Sequence, residues 1–290
     1  MLKPVPFLKK TTDLFIYGNY FIALCAALLL YETYILLDLP PSLFYTSLAF
    51  FSTLFTYNID RLVAYKEISK VAAERQIWIT RHWRLMAVSA GISFIYLVIC
   101  IFYIHWPVLV FIAHLGFISL AYSLPLVYGK TNAHTLRSIK GLKIFLIAYV
   151  WAASTVLMPC LALSIPLFSK EVVLLFIERL LFIFIITLPF DIRDYKSDIA
   201  SNVSTIPGMI GIRNTKLLAV GCMLVFMIIA ILHYPFRTGI FWARIISAIS
   251  TLYIVYKTEE THHEYYFTAL LDGTMVIQFV LVAILNAVVM

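Results

Sequence analysis

The sequence predicts an all-α fold: a polytopic transmembrane helical bundle of about nine spans, with its N-terminus in the cytoplasm. Three observations predict it. Hydrophobic residues make up 62% of the chain and charged residues only 13%, whereas a soluble domain is about 45–50% apolar and about 25% charged. The apolar residues come in runs close to the roughly 20 residues that a helix needs to cross a bilayer. Basic residues collect between alternate runs, as they do in cytoplasmic loops.

The runs cover 14–37, 42–63, 84–104, 106–126, 142–163, 171–190, 216–233, 240–256 and 266–288. Lys3, Lys9 and Lys10 precede the first. That arrangement looks like a signal peptide, but the run is too long and lacks a small-residue cleavage site, so it is a retained span. The third and fourth runs are separated only by a tight turn around His105-Trp106-Pro107. No Gly/Ser/Pro-rich linker interrupts the chain, so 1–290 is expected to be a single domain. One side of the membrane receives Lys3, Lys9, Lys10, the basic residues from Arg61 to Arg84, and those from Lys130 to Lys143. Arg193, Lys196, Arg213, Lys216 and Lys257 lie on that side too, against little more than Lys170 and Arg237 on the other. The first side is therefore cytoplasmic, and an odd number of spans leaves Met290 outside.

A mean hydropathy of +0.94 fits this class. The net charge of +7 is the loop bias, and no Lys/Arg-rich stripe suggests nucleic acid as a partner. The four cysteines, Cys25, Cys100, Cys160 and Cys222, are far apart within apolar runs, and read as small buried hydrophobes.

Two cytoplasmic loops are long, about 64–83 and 191–215, and each begins with acidic residues leaving an even-numbered span. The later one reads Phe190-Asp191-Ile192-Arg193-Asp194-Tyr195-Lys196-Ser197-Asp198. Aspartates at i, i+3 and i+7 share one helix face and repel one another unless a cation sits between them. Hard carboxylate oxygens suit Mg²⁺, which is commonly held by one or two carboxylates together with substrate phosphates. The other reading is a solvated helix end neutralised by Arg193 and Lys196. The earlier cluster reads Thr56-Tyr57-Asn58-Ile59-Asp60-Arg61, with Glu67 beyond it. Asn58 and Asp60, two apart, point to nearly opposite sides of a helix, whereas Asp60 and Glu67 share a face. Two matching acidic faces are suited to clamping a lipid diphosphate through Mg²⁺ while its tail lies in an apolar groove.

On these residues the chain resembles the UbiA superfamily of intramembrane prenyltransferases. Asp191, Asp194 and Asp198 match the family's second motif, DxxDxxxD, and Thr205-Ile206-Pro207 and Gly211 fit its tail. The Ala121-Tyr122-Ser123-Leu124-Pro125 stretch before a basic loop resembles the family's fourth connection, and the layout matches along most of the chain. The specific part is 190–218. The first motif departs from the family form, NDxxDxxxD: aligned on Asp60-Arg61, Thr56 stands at the Asn position and Ala64 at the final Asp.

The resemblance implies an enzyme that transfers an isoprenyl group from a prenyl diphosphate to a lipid-soluble, typically aromatic, acceptor with Mg²⁺. It implies metal ligation by Asp60, Asp191, Asp194 and Asp198, with the first three as catalytic residues. Asn58, Arg61, Lys130, Lys140 and Arg193 become candidates to hold the diphosphate. Tyr57, Tyr122 and Trp151, with Tyr149, are candidates to face a developing allylic cation, since aromatic faces attract cations. The partners are prenyl diphosphate and membrane lipids, with no obligate protein partner; in a bacterium the membrane would be the plasma (inner) membrane. The weakened first motif leaves a catalytically silent polyprenyl-lipid-binding relative as an alternative. A small-molecule transporter is another, because Glu178, Arg179 and Asp272 fall within apolar runs, where charge is costly and often functional. Glu259-Glu260-Thr261-His262-His263-Glu264 reads as a solvated loop.

Overall fold

The computed structural model describes residues 6–64, 74–123, 127–128, 133–134, 141–200 and 203–289. Helix α1 (Pro6–Tyr17) meets α2 (Tyr20–Leu36) at a 59° bend. Asn19 makes that bend in the left-handed region, at φ 65°. Helices α3 (Leu43–Ala64), α4 (Glu74–Ile101) and α5 (Trp106–Ser123) follow, then a two-residue ribbon of β1 (Val127–Tyr128) and β2 (Ala133–His134). Helix α6 (Leu142–Ala152) continues through a π turn at Ala153–Leu157 into α7 (Met158–Ala162). The long α8 (Lys170–Arg193) is capped by the Ser169 hydroxyl accepting from the Val172 amide. After the short α9 (Tyr195–Ala200) come α10 (Ile206–His233) and α11 (Gly239–Tyr256). A second π turn, Tyr266–Leu271, leads into α12 (Asp272–Val289).

Each expected span falls on helix. Among the described residues, six helices are long and apolar enough to cross a membrane, or seven if the bent α1–α2 pair is one span. The chain is thus a polytopic, integral membrane helical protein. Two helices begin earlier than hydropathy implies. Helix α4 starts at Glu74, and α10 at Ile206, with Pro207 in the first turn where its missing N–H is harmless. Polar residues such as Arg75, Arg81, Arg213 and Lys216 lower the hydropathy of these turns without breaking them, so they read as loop. Gly211, at φ 80° and ψ 158°, bends α10 near its start, a conformation that disfavours any side chain.

Packing closes the helices into a ring. Helix α2 packs on α3, α6 on α5 and α8, α8 on α10, α10 on α11, α11 on α12, and α12 back on α2; α4 lies against the outside of α3. Gly239 is required in this ring, because a Cβ there would come within 1.9 Å of the Leu285 carbonyl oxygen. The outer surface is apolar. Helix α4 presents Val88, Ile92, Ile95 and Ile99 at 60, 58, 61 and 51% exposure. That stripe, at i, i+4, i+7 and i+11, faces lipid rather than a protein core.

Inside the ring, Glu178 and Arg179 meet charged partners from three other helices. Arg179 pairs with Glu32 of α2 at 2.8 Å. Arg244 of α11 donates to Glu178 at 2.5 and 3.1 Å and to Glu32 at 3.2 Å, and lies 4.8 Å from the Phe226 ring centre. His233 Nδ1 stands 2.8 Å from the second Glu178 oxygen. Glu32, Glu178, Arg179 and Arg244 are all fully buried. Two carboxylates against two guanidiniums balance in charge and tie α2, α8, α10 and α11 together, although among the described residues Arg179 has only the ion-pair contact to Glu32 and no hydrogen-bond partner.

Candidate functional site

A cavity of about 350 Å³ lies within the ring, lined by residues of α1 to α8, α12 and both π turns, with no lining residue from α10 or α11. π turns widen a helix locally and often occur at functional sites. Here they bring Ser154 and Thr268 to the wall, with Asp272 directly after the second. The wall changes character with depth. Leu48, Ile112, Leu115, Ile147, Met158, Ile183 and Met275 make an apolar interior. Asp60, Arg61, Arg75, Lys143, Asp191, Arg193, Asp194 and Asp272 make a charged end. These eight cluster because α3 and α8 finish there while α4, α6 and α12 begin there.

The charges are extensively paired. Lys143 Nζ donates to Asp191 Oδ1 at 2.7 Å. Arg193 grips Asp194 through two bonds, at 2.8 and 3.1 Å. Glu264, just before the second π turn, accepts through Oε1 from both Arg75 (3.2 Å) and Arg193 (3.1 Å). Arg193 also lies over Phe190 and Phe267, at 5.4 and 5.3 Å from their ring centres. Asp60 is 3.7 Å from Arg61. Asp272 has Arg75, Arg193 and Glu264 as charged neighbours. Next to this end, Tyr265 stacks on Tyr17 and donates to Asp13, which fastens α1 to the 264–266 segment. Burial, and then the bond to Asp13, push the Tyr265 phenol above its ordinary value.

Of the sequence candidates, Tyr57, Asp60, Arg61, Trp151, Asp191, Arg193 and Asp194 line the cavity. Asn58 does not: it is fully buried against α2, where it accepts from Asn19 at 3.0 Å. The spacing of two from Asp60 sends the side chains apart. Asp198 is not in the wall either. The expected single face is interrupted, because α8 ends at Arg193, Asp194 caps it, and Asp198 belongs to the separate α9. Tyr149 turns its hydroxyl to His114, at 3.2 Å. Lys130, Lys140 and Glu67 lie outside the described residues, as does the side chain of Tyr122.

Four participants escape the sequence reading: Arg75, Lys143 and Glu264 altogether, and Asp272 in its role. Arg75 and Lys143 look like ordinary cytoplasmic-loop cations, and Glu264 like part of a solvated acidic run. The available signal was position. Lys143 opens an apolar helix, and Asp272 sits beside Gly273 near the start of the last one.

Aspartate oxygens are hard donors of the kind Mg²⁺ takes. Asp60, Asp191, Asp194 and Asp272 face one cavity, so the donor chemistry fits that ion. As arranged here, Asp191 and Asp194 are held by Lys143 and Arg193. Among the described residues, no three His, Cys, Asp or Glu side chains converge as a ready-made metal cluster. An arriving ion would have to displace these cations or share oxygens with them.

No family model and no curated protein sequence matches this chain. Solved structures do. A UbiA homolog from Archaeoglobus fulgidus bound to geranyl diphosphate and Mg²⁺ aligns with a TM-score of 0.64 at 11% identity, covering 95% of this chain and 99% of that one. The same homolog with dimethylallyl diphosphate and Mg²⁺ gives 0.63 at 11% identity, covering 94% and 99%. A digeranylgeranylglyceryl phosphate synthase of membranes gives 0.59 at 15% identity, covering 96% and 99%. The chain shares the fold of these proteins along almost its whole length.

Proposed function

We propose that this chain belongs to the UbiA superfamily and is a single prenyltransferase domain over 1–290, with nine spans and a cytoplasmic N-terminus. It transfers an isoprenyl group from a prenyl diphosphate to a lipid-soluble, typically aromatic, acceptor. One observation carries the reading: the cavity is apolar in depth and charged at a single end, where Asp60, Asp191 and Asp194 stand. A prenyl diphosphate has that same polarity. The fold shared with proteins solved around such diphosphates and Mg²⁺ supports it.

In this reading Asp60, Asp191 and Asp194 would hold Mg²⁺, which would supply charge neutralisation and orientation for the leaving diphosphate. Arg61, Arg193, and Lys130 and Lys140 of the basic loop, contact the phosphate oxygens. The carbon–oxygen bond breaks with its electron pair leaving on diphosphate, and a nucleophilic atom of the acceptor bonds to the allylic carbon and gives up its proton, which the released diphosphate takes up. Tyr57 and Trp151 face the positive charge that develops on the prenyl chain, and Tyr122 of α5 is the third aromatic candidate for that role. The apolar walls exclude water, which would otherwise capture that carbon. Substrate and acceptor arrive through the lipid phase of, in a bacterium, the plasma membrane.

The test is diphosphate release from geranylgeranyl or farnesyl diphosphate by purified protein. It should require Mg²⁺ and be abolished by Asp191→Ala or Asp194→Ala. A wild type that neither binds nor turns over any prenyl diphosphate ends this reading. The single carboxylate that the described residues place on the α3 side favours a second one, a relative that binds prenyl diphosphate without turnover; it would show Mg²⁺-dependent binding and no diphosphate release.

A further inference from the structure

We propose that Arg75, yoked to Arg193 through Glu264, is the phosphate-binding residue on the α3 side of the cavity. This rests on the prenyl diphosphate reading above. Among the described residues, Asp191 and Asp194 both reach the cavity on the α8 side, and on the α3 side Asp60 alone does. What stands there instead is cationic. Arg61 and Arg75 line the same wall, and Arg61 and Arg193 both bear on Arg75 with like charge.

Three guanidiniums gathered around one cavity repel one another, and Glu264 is the anion that bridges two of them, through a single oxygen. Among the described residues, the buried Nε donors of Arg61 and Arg75 have no hydrogen-bond partner. A buried donor left unpaired is costly, so two of them beside one cavity point to an anionic ligand. A guanidinium matches phosphate oxygens in charge and in its forked geometry. Among the described residues, Asp60, Asp191, Asp194, Glu264 and Asp272 still outnumber Arg61, Arg75, Lys143 and Arg193, so a divalent cation would still be needed for a diphosphate to enter. Arg75 takes over phosphate contacts on the side where carboxylates are few. Glu264 is a positioning residue: it bonds Arg75 from α4 and Arg193 from α8, and so fixes the distance across the mouth.

The experiment is equilibrium binding of farnesyl thiolodiphosphate, which resists ionisation, to the purified full-length protein in Mg²⁺, with farnesol as the uncharged control. Arg75→Ala should weaken thiolodiphosphate binding by about tenfold or more and leave farnesol binding unchanged. Arg75→Lys should recover part of the loss. Glu264→Gln should weaken thiolodiphosphate binding several-fold in the wild-type background and much less in Arg75→Ala, the signature of coupled residues. Glu260→Gln, which breaks only the Lys196 pair at the surface, should match wild type. Thiolodiphosphate affinity within twofold of wild type in Arg75→Ala and Glu264→Gln would overturn the proposal and leave the proposed function standing. A wild type that does not bind the compound would overturn both.

Discussion

Helix α8 carries two charged regions with opposite fates. Near its start, Glu178 and Arg179 are sealed in the ring with Glu32, Arg244 and His233. Thirteen residues on, about 20 Å along the axis, Asp191, Arg193 and Asp194 line an open cavity. The rule that intramembrane charge marks function treats both alike. Packing separates them. In the first region opposite charges from four helices neutralise one another outside the cavity wall. In the second, the charged groups adjoin open space. The transporter alternative drew on Glu178, Arg179 and Asp272 together; the structure divides them, the first two in the sealed set and Asp272 in the cavity wall.

If the sealed region is structural, Arg244→Ala should have the largest effect on folding. It leaves Glu178 with His233 alone and Glu32 with Arg179 alone, and breaking such a buried set costs about 3–5 kcal/mol. Thermal unfolding in detergent should show it as a drop of many degrees and a loss of monodisperse protein. A variant of wild-type stability but without activity would break the comparison, by moving the sealed set to the functional side.

Asp191→Asn should do the reverse. We expect diphosphate release to fall by about 100-fold, the scale of removing one charge-stabilising group from a site. The unfolding midpoint should stay within a few degrees of wild type, because the amide keeps an acceptor for Lys143.

Asn58→Ala sharpens the comparison at smaller scale. Asn58 stands behind the cavity wall and accepts from Asn19, which lines the cavity, so its loss should cost about 1 kcal/mol of stability and leave prenyl diphosphate affinity unchanged. A specific loss of affinity in this variant would return Asn58 to the site.

The smallest effect concerns the clamp beside the mouth. Because the Tyr265 phenol is raised in the folded chain, its contribution is fully present below the ordinary tyrosine value of about 10. It is lost as pH rises through the raised folded value. Tyr265→Phe should therefore lower the unfolding midpoint slightly at neutral pH and flatten its decline above pH 10.

Much of this was legible in the sequence. Hydropathy found the helices, because lipid-facing stripes such as Val88–Ile99 have no competing explanation. The Asp191/Asp194 half of the site was legible because it lies at the end of one helix. Asp198 lies outside the cavity wall because a turn ends α8 at Arg193, and sequence spacing assumes an unbroken helix. Arg75, Lys143 and Glu264 were hidden because they come together only when α4, α6 and the π turn before α12 meet in space. The bent α1–α2 pair and the early starts of α4 and α10 depend on packing and caps that hydropathy does not register.

The most direct test of the contrast along α8 is anomalous scattering from crystals soaked with Mn²⁺ and geranyl thiolodiphosphate. We expect a peak within coordination distance of Asp191 or Asp194 and facing Asp60, with the diphosphate between it and Arg75, and no peak near Glu178. A metal among Glu32, Glu178 and His233, or metal only at the exposed Glu259–His262 segment, would contradict the assignment of the cavity end as the functional site.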